Sequence, residues 1–207
     1  MELKELDLEQ RILEKARALF FVFGIKSISM DDIAKNLGIS KKTLYQYYRD
    51  KTALLELIID DLLETHGKEI ENAQQTGKNA IQEVYLQTQV ILNLFKNISP
   101  NIFFEISKYF PLLDERFTKH RIQCIKKCIR ENIIRGMDEE LYRKDLDIDF
   151  VAQIRLNQIT AAFDEKAYPA DEFSISDTLF KLTDFYLNAI CQTAGKKLLN
   201  SIKTQYI

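Results

Sequence analysis

A short basic stretch from Ser40 to Lys51 carries residue types suited to contact with a polyanion. Its cations are Lys41, Lys42, Arg49 and Lys51, and its single anion is Asp50, in a chain whose net charge is -2. Lysine neutralises phosphate or donates to guanine, threonine contacts phosphate or the thymine methyl, and glutamine pairs with adenine. Thr43 and Gln46 supply the last two types. The stretch indicates a local nucleic-acid-binding patch on an otherwise acidic protein.

The order of residues in this stretch predicts a short helix with two different faces. At about 100° per residue, Leu44 and Tyr48 fall on one face of the helix. The polar side chains fall on the opposite face or flank it: Lys42, Gln46, Thr43 and Tyr45. One face can therefore pack against the protein while the other enters a DNA major groove.

The residues before this helix predict a second helix and a tight turn. Ser29, with Asp32 three residues later, forms a carboxylate variant of the capping box. Gly38 permits the left-handed backbone that a sharp exit from a helix requires, and Ser40 can cap the helix that follows. The pattern predicts a helix-turn-helix.

The run from Gly38 to Tyr48, followed by Lys51 and the pair Leu54-Leu55, resembles the TetR family of bacterial regulators. The segment before it resembles the first helix, connector and second helix of that family, so the resemblance covers about residues 8–55. It implies an N-terminal three-helix DNA-binding domain and a larger C-terminal helical bundle for effector binding and dimerisation.

The resemblance also implies which residues contact double-stranded DNA. These are Ser29, Ser40, Lys41, Lys42, Thr43, Tyr45, Tyr47 and Lys51, and the helix face adds Gln46. Lys42 stands where the family frequently has glycine or another small residue, and Tyr47 where histidine or tyrosine is usual. The base preference of a relative therefore cannot be transferred to this chain.

Composition predicts an ordinary globular protein of the cytoplasm. Hydrophobic residues make up 46% and charged residues 29%, and the longest apolar run, Ala18–Phe23, is far shorter than the roughly 20 residues of a membrane span. An odd number of cysteines, three, does not suggest a disulfide framework. Without a nucleotide-binding glycine loop, a nucleophile elbow or a metal-hydrolase motif, we expect neither an enzyme nor a cofactor or metal.

Apolar residues recur at helical spacing along the chain, and no strand-like alternation of comparable length occurs. We therefore expect an all-α protein with a DNA-binding domain at 1–50 and a helical effector-binding and dimerisation domain at 51–207. The predicted helices are 8–24, 30–37, 41–47, 51–75, 79–97, 100–109, 111–136, 148–165 and 174–194.

The segments 148–165 and 174–194 are apolar on more than one side, which favours burial between two copies of the chain. The expected interface residues are Leu156, Ile159, Phe163, Leu179, Leu182 and Tyr186. The alternative is that both segments are central core helices. A two-fold dimer would read a palindromic operator.

A concentration of aromatic residues suggests a cavity for a small apolar or amphipathic effector. These are Phe95, Phe103, Phe104, Tyr109, Phe110 and Phe117. An ordinary hydrophobic core has the same composition, so this alternative stays open.

His120, Cys124 and Cys128 recur every four residues and would be neighbours on one helix. Such a row could begin a metal or thiol-sensing site. Buried cysteine acting as a small hydrophobic residue is the competing interpretation.

We therefore expect a transcriptional regulator, a repressor that a small-molecule effector releases from a palindromic operator. One alternative is a helix-turn-helix regulator whose C-terminal domain serves only dimerisation or a protein partner. The other is a helical interaction module that does not bind DNA.

Overall fold

The computed structural model describes residues 2–96, 98–99, 101–164, 166–169, 171–202 and 204, and the side chains of these residues except 2–7, 95 and 101. The helices in this part of the chain are α1 (Glu2–Phe23), α2 (Met30–Leu37), α3 (Lys41–Tyr47), α4 (Lys51–Thr76), α5 (Ala80–Phe95), α6 (Asn101–Tyr109), α7 (Pro111–His120), α8 (Lys127–Asp138), α9 (Ile148–Ala161), α10 (Ile175–Ile190) and α11 (Thr193–Ile202). A π-helical segment, Arg121–Lys126, connects α7 to α8. The all-α prediction is confirmed.

Two compact units make up the chain. Unit 1 comprises residues up to 65 together with 95–117, and unit 2 comprises 66–94 together with 118–207. Unit 1 thus contains the segment expected to form the first domain, with the start of α4, all of α6 and most of α7 added to it. No helix of the described residues is both long and apolar enough to cross a membrane.

The core of unit 1 holds the first helices against one another. α1 packs against α2, and α2 against α3. Its fully buried apolar side chains include Ile12, Ala16, Phe20, Ile25, Ile33, Leu44, Leu54, Leu55 and Ile58. Burying one large aliphatic or aromatic side chain contributes about 1.5 to 3 kcal/mol to stability. Leu44 belongs to α3, so its burial in this cluster holds one face of α3 against the rest of unit 1.

The core of unit 2 is built around Tyr142, which is fully buried. Its hydroxyl donates to Asn132 Oδ1 at 3.1 Å, and Asn132 Nδ2 donates to the carbonyl of Ala80 at 2.9 Å. A Cβ atom at Gly136 would overlap the Tyr142 ring, so the helix needs glycine where the ring crosses it.

Candidate nucleic-acid interface

The first turn of α2 is closed by the predicted capping box. The Ser29 N–H donates to Asp32 Oδ2 at 2.8 Å, and the Asp32 N–H donates to Ser29 Oγ at 3.2 Å. Hydrogen bonds from the Ser29 side chain and backbone hold the pKa of Asp32 below its usual value. The pair sets where α2 begins, and Ser29, a predicted DNA contact, stays exposed at that end.

The turn between α2 and α3 depends on Gly38. Its backbone is left-handed, with φ +67°, and its N–H and that of Ile39 close the end of α2 on the carbonyls of Lys35 and Ala34. A Cβ at this position would meet nothing within 4 Å, so the requirement for glycine is conformational rather than steric.

Helix α3 begins at the cap that the sequence predicts. The Thr43 N–H donates to Ser40 Oγ at 3.0 Å, and the two hydroxyl oxygens lie 2.7 Å apart. Both predicted DNA contacts therefore also help to form the first turn of α3. Their side chains stay wholly or partly exposed.

The inner face of α3 is anchored to the protein. Leu44 is fully buried, and Tyr48, at the end of the helix, is 4% exposed. The Tyr48 hydroxyl donates to the carbonyl of Glu9 in α1 at 3.3 Å, and burial raises the pKa of Tyr48. This anchoring holds α3 in one orientation.

The outer face of α3 carries the predicted polar residues. Lys42, Tyr45 and Gln46 are exposed, and Tyr47 is half-buried. Lys41 is also exposed and lies 2.5 Å from Asp31 Oδ2 in an ion pair at the surface. Because an exposed pair contributes about 0 to 1 kcal/mol, a phosphate can replace Asp31 at little cost.

Lys51 differs from the other predicted DNA-contacting lysines. Its ammonium donates to the carbonyl of Ile28 and lies 5.7 Å from the centroid of the Phe20 ring. Burial lowers its pKa. The side chain therefore joins the start of α4 to the connector before α2.

Arg49 is a surface cation that the sequence reasoning counted but did not place among the contacts. Its side chain is 84% exposed and lies 2.8 Å from Asp50. Asp50 in turn accepts the Ala53 N–H at 2.8 Å at the start of α4, and this hydrogen bond and Arg49 hold its pKa below the usual value. The local excess of cations is the signal that could have identified Arg49.

The predicted effector aromatics lie on or beside α5, α6 and α7. The Phe103 and Phe117 rings make an edge-to-face contact, with centroids 5.6 Å apart, while Phe104 and Tyr109 are 61% and 42% exposed. Phe110 is half-buried, and the side chain of Phe95 lies outside the described residues.

A small cavity of about 20 Å³, enough for a single water molecule, occurs instead in unit 2. None of the predicted aromatics lines it. The residues that line it are Ile70, Val84, Gln87, Thr88, Ile91, Ile125, Cys128, Ile129, Asn132, Arg155, Ile159 and Tyr186.

Most of the residues predicted for a dimer interface are buried within the single chain. Leu156, Ile159, Leu179 and Tyr186 are between 0% and 8% exposed in the single chain, and Phe163 and Leu182 are half-buried. The four buried side chains pack inside unit 2, and the interface prediction for Phe163 and Leu182 stays a prediction. The large exposed apolar side chains of α9 and α10 are Phe150, Ile154 and Phe185.

A second histidine, His66, lies next to His120, the first residue of the row His120, Cys124 and Cys128. His66 Nδ1 and His120 Nε2 lie 2.9 Å apart, and His66 is 2% exposed. A hydrogen bond between the two cysteines lowers the pKa of Cys124 and raises that of Cys128. Among the residues that the structure describes, no group of three His, Cys, Asp or Glu side chains is arranged to hold a metal ion.

Known proteins similar to this chain are transcriptional regulators. Residues 12–58 match the family model of bacterial regulatory proteins, tetR family. An HTH-type transcriptional regulator of Staphylococcus aureus (strain USA300) is 40% identical over 76 residues, which are 35% of this chain and 41% of the relative. The chain therefore aligns with about two fifths of the length of the curated relatives it matches. The matched family and this relative are transcriptional regulators and not enzymes.

Solved structures share the fold over most of the chain. A transcriptional regulator from Cytophaga hutchinsonii is 18% identical, with a TM-score of 0.72 over 91% of this chain and 99% of its own. One from Saccharomonospora viridis, in complex with choline, is 18% identical, with a TM-score of 0.75 over 90% and 98%. A TetR transcriptional regulator from Chloroflexus aurantiacus is 18% identical, with a TM-score of 0.73 over 93% and 100%.

Proposed function

We propose that this chain, whose residues 12–58 match the tetR family model, is a DNA-binding transcriptional repressor that leaves a palindromic operator when a small molecule binds. Such a protein acts where the DNA is, in the bacterial cytoplasm. The observation that carries the proposal is the division of α3 into an anchored face and an exposed polar face.

The exposed face of α3 offers the groups that read DNA. Gln46 can form a bidentate pair with adenine, Lys42 can donate to guanine or to phosphate, and Tyr45 can donate to phosphate. Leu44 and Tyr48 hold the helix from behind, so these groups are presented without rearrangement of unit 1. Lys41 and Arg49 are exposed as well and add positive charge for contact with the DNA phosphates.

Dimerisation is proposed through α9 and α10, which pack against each other within the chain. Phe150 and Ile154 stand one helical turn apart on α9, and Phe185 on α10 is 66% exposed. Covering such side chains in a two-fold interface would give two copies of α3 for the two halves of a palindrome. Phe150→Glu with Phe185→Glu should convert the dimer to a monomer in sedimentation. An unchanged dimer would place the interface elsewhere.

The proposal of an effector is supported by a solved structure of similar fold. The regulator from Saccharomonospora viridis was solved with choline, which shows that one protein of this fold accommodates a small organic molecule. For this chain we propose that an effector enters unit 2 and lowers the affinity for DNA.

Binding of the full chain to duplexes from the region upstream of its own gene tests the function. We expect specific binding whose affinity falls steeply with salt, because phosphate contacts release counterions. A scrambled duplex of the same length and composition is the control. The absence of any preference between the two duplexes would favour a helical interaction module.

A further inference from the structure

Two cysteines of unit 2, Cys124 and Cys128, lie where the π-helical segment passes into α8. Cys124 belongs to the π-helical segment and is half-buried, and Cys128 belongs to α8 and is 7% exposed. A hydrogen bond joins their side chains, and both are free thiols. These two residues, the cysteine pair, are therefore in contact within one chain, and the proposed contact with DNA uses neither of them.

The two thiols of the cysteine pair differ in exposure and in acidity. The hydrogen bond from Cys128 stabilises the thiolate of Cys124 and lowers the pKa of Cys124, although burial and the charge of Glu71 oppose this effect. The same hydrogen bond, together with burial, raises the pKa of Cys128. Because the thiolate is the nucleophilic form of cysteine, Cys124 is the thiol that should react first.

The helix changes its winding between the two thiols. Residues 121–126 are π-helical, and at the junction with α8 the Lys127 N–H donates to the carbonyl of Cys124, three residues earlier instead of the four of an α-helix. A disulfide needs Cβ atoms about 3.5 to 4.5 Å apart, whereas side chains four residues apart on a regular helix have Cβ atoms about 5 to 6 Å apart. Because this turn is already irregular, it can tighten by the difference of about 1 to 2 Å without breaking a regular helix.

Helix α4 passes the Cys124 sulfur at a glycine. A Cβ atom at Gly67 would lie 3.8 Å from Cys124 Sγ, so a side chain longer than that of alanine would press against the sulfur. Glycine in a helix interior costs about 0.5 to 1 kcal/mol relative to alanine. At this position it leaves the half-buried sulfur uncovered by a side chain of residue 67.

Cys191 is a thiol of the same unit in a different environment. It is 2% exposed and belongs to the hydrophobic core of unit 2 around Tyr142. Burial raises the pKa of Cys191 to about 12, so that almost none of it is thiolate at neutral pH. Cys191 is therefore an internal reference for an unreactive cysteine.

We propose that the cysteine pair is a reversible oxidation site, at which a hydroperoxide converts Cys124 and Cys128 into a disulfide within one chain. The Cys124 thiolate attacks the terminal oxygen of the peroxide, the O–O bond breaks, and the leaving oxygen takes up a proton, so that Cys124 becomes a sulfenic acid. Cys128 then loses its proton and attacks the Cys124 sulfur, the S–O bond breaks, and water leaves. Two thiols lose two electrons in total, and one peroxide gains them.

Peptide mapping of the full chain tests this inference, with hydrogen peroxide as the probe. Trypsin cleaves after Lys126 and Lys127, between the two cysteines, so peptides 122–126 and 128–130 stay together only when a disulfide links them. We expect peroxide to give this linked pair and to lower the mass of the chain by two hydrogen atoms, with Cys191 left as the one thiol that iodoacetamide labels after unfolding. Dithiothreitol should reverse the change, because strained disulfides are readily reduced.

Serine variants assign the roles of the two thiols. Cys128→Ser should stop at a sulfenic acid on Cys124, which dimedone traps, and Cys124→Ser should leave Cys128 at least about tenfold slower to oxidise. Cys191→Ser is the matched control, and it should form the linked peptides as the unaltered chain does.

Three results would overturn the inference. They are the absence of linked peptides after peroxide treatment, oxidation of Cys191 as fast as that of Cys124, and linked peptides found only in a covalent dimer on non-reducing electrophoresis. If a serine variant does not fold, mapping of the unaltered chain decides. The reaction requires no DNA, so its outcome is independent of the proposed function.

Discussion

The ammonium of Lys51, at the start of α4, donates a hydrogen bond to the main-chain carbonyl of Ile28 in the connector between α1 and α2. A lysine for which the family resemblance implies DNA contact therefore also joins the start of α4 to the connector before α2. Lys42, one of the other predicted contacts, is exposed on α3. The two lysines should respond differently to substitution.

We expect Lys51→Met to lower the free energy of unfolding by about 1 to 3 kcal/mol, since the Ile28 carbonyl loses its partner in a partly buried place. Lys42→Met should stay within about 0.5 kcal/mol, as exposed substitutions do. Urea unfolding followed by circular dichroism compares them. Equal stability of the two variants would mean that the Lys51 hydrogen bond contributes nothing.

The two faces of α3 give a second prediction. Leu44→Ala should cost about 2 to 5 kcal/mol, because it removes a fully buried side chain. Tyr45→Phe and Thr43→Ala should change stability by less than about 0.5 kcal/mol while weakening DNA binding. Thermal unfolding and duplex titration of the same preparations separate the two effects. A loss of stability in Tyr45→Phe as large as that in Leu44→Ala would show that Tyr45 is structural.

Two glycines should differ in their tolerance of alanine. At Gly38 the new methyl group would meet no neighbour within 4 Å. We therefore expect the free energy of unfolding to fall only by the cost of holding alanine in the left-handed conformation, about 1 to 2 kcal/mol. At Gly136 the methyl group would overlap the ring of Tyr142, which is fully buried, and we expect a loss of about 3 kcal/mol or more. Chemical denaturation measures both. A smaller loss at Gly136 than at Gly38 would contradict the packing described for Tyr142.

The paired histidines predict a dependence of stability on pH. Burial lowers the pKa of His66 to about 4, and the charge of His120 adds to the effect. Since the pKa of His66 in the folded chain lies below that in the unfolded chain, the unfolded chain binds the extra proton, and stability falls as the pH falls from about 6.5 to 4. The full effect is about 3 kcal/mol.

Urea unfolding at several pH values, in the unaltered chain and in His66→Gln, isolates this contribution from that of the carboxylates. The variant should show a flatter profile between pH 6.5 and 4. Parallel profiles for the two proteins would mean that His66 is not kept neutral by its surroundings.

Local signals made the helix-turn-helix predictable. The Ser29 and Asp32 capping box, the left-handed Gly38 and the Ser40 cap each depend on residues within three or four positions of one another, and all three are confirmed. Helices 30–37 and 41–47 were predicted at the bounds observed for α2 and α3.

Properties that arise from tertiary packing could not be predicted in the same way. Leu156 and Phe150 both belong to an apolar helix, and only the fold decides that Leu156 is buried and Phe150 is 65% exposed. Nothing near Arg155 in sequence reveals that α9 buries it beside Thr183. The helix Thr193–Ile202 is absent from the prediction, whose last helix ends at residue 194.

The affinity of Lys42→Glu for a duplex selected by the unaltered chain from a random pool tests the central claim most directly. Lys197→Glu is the matched control, since it makes the same charge change at an exposed position in unit 2. With melting temperatures unchanged, we expect Lys42→Glu to bind about tenfold more weakly or worse and Lys197→Glu to bind as the unaltered chain does. Equal affinities of both variants, at equal stability, would contradict the assignment of α3 as the helix that contacts DNA.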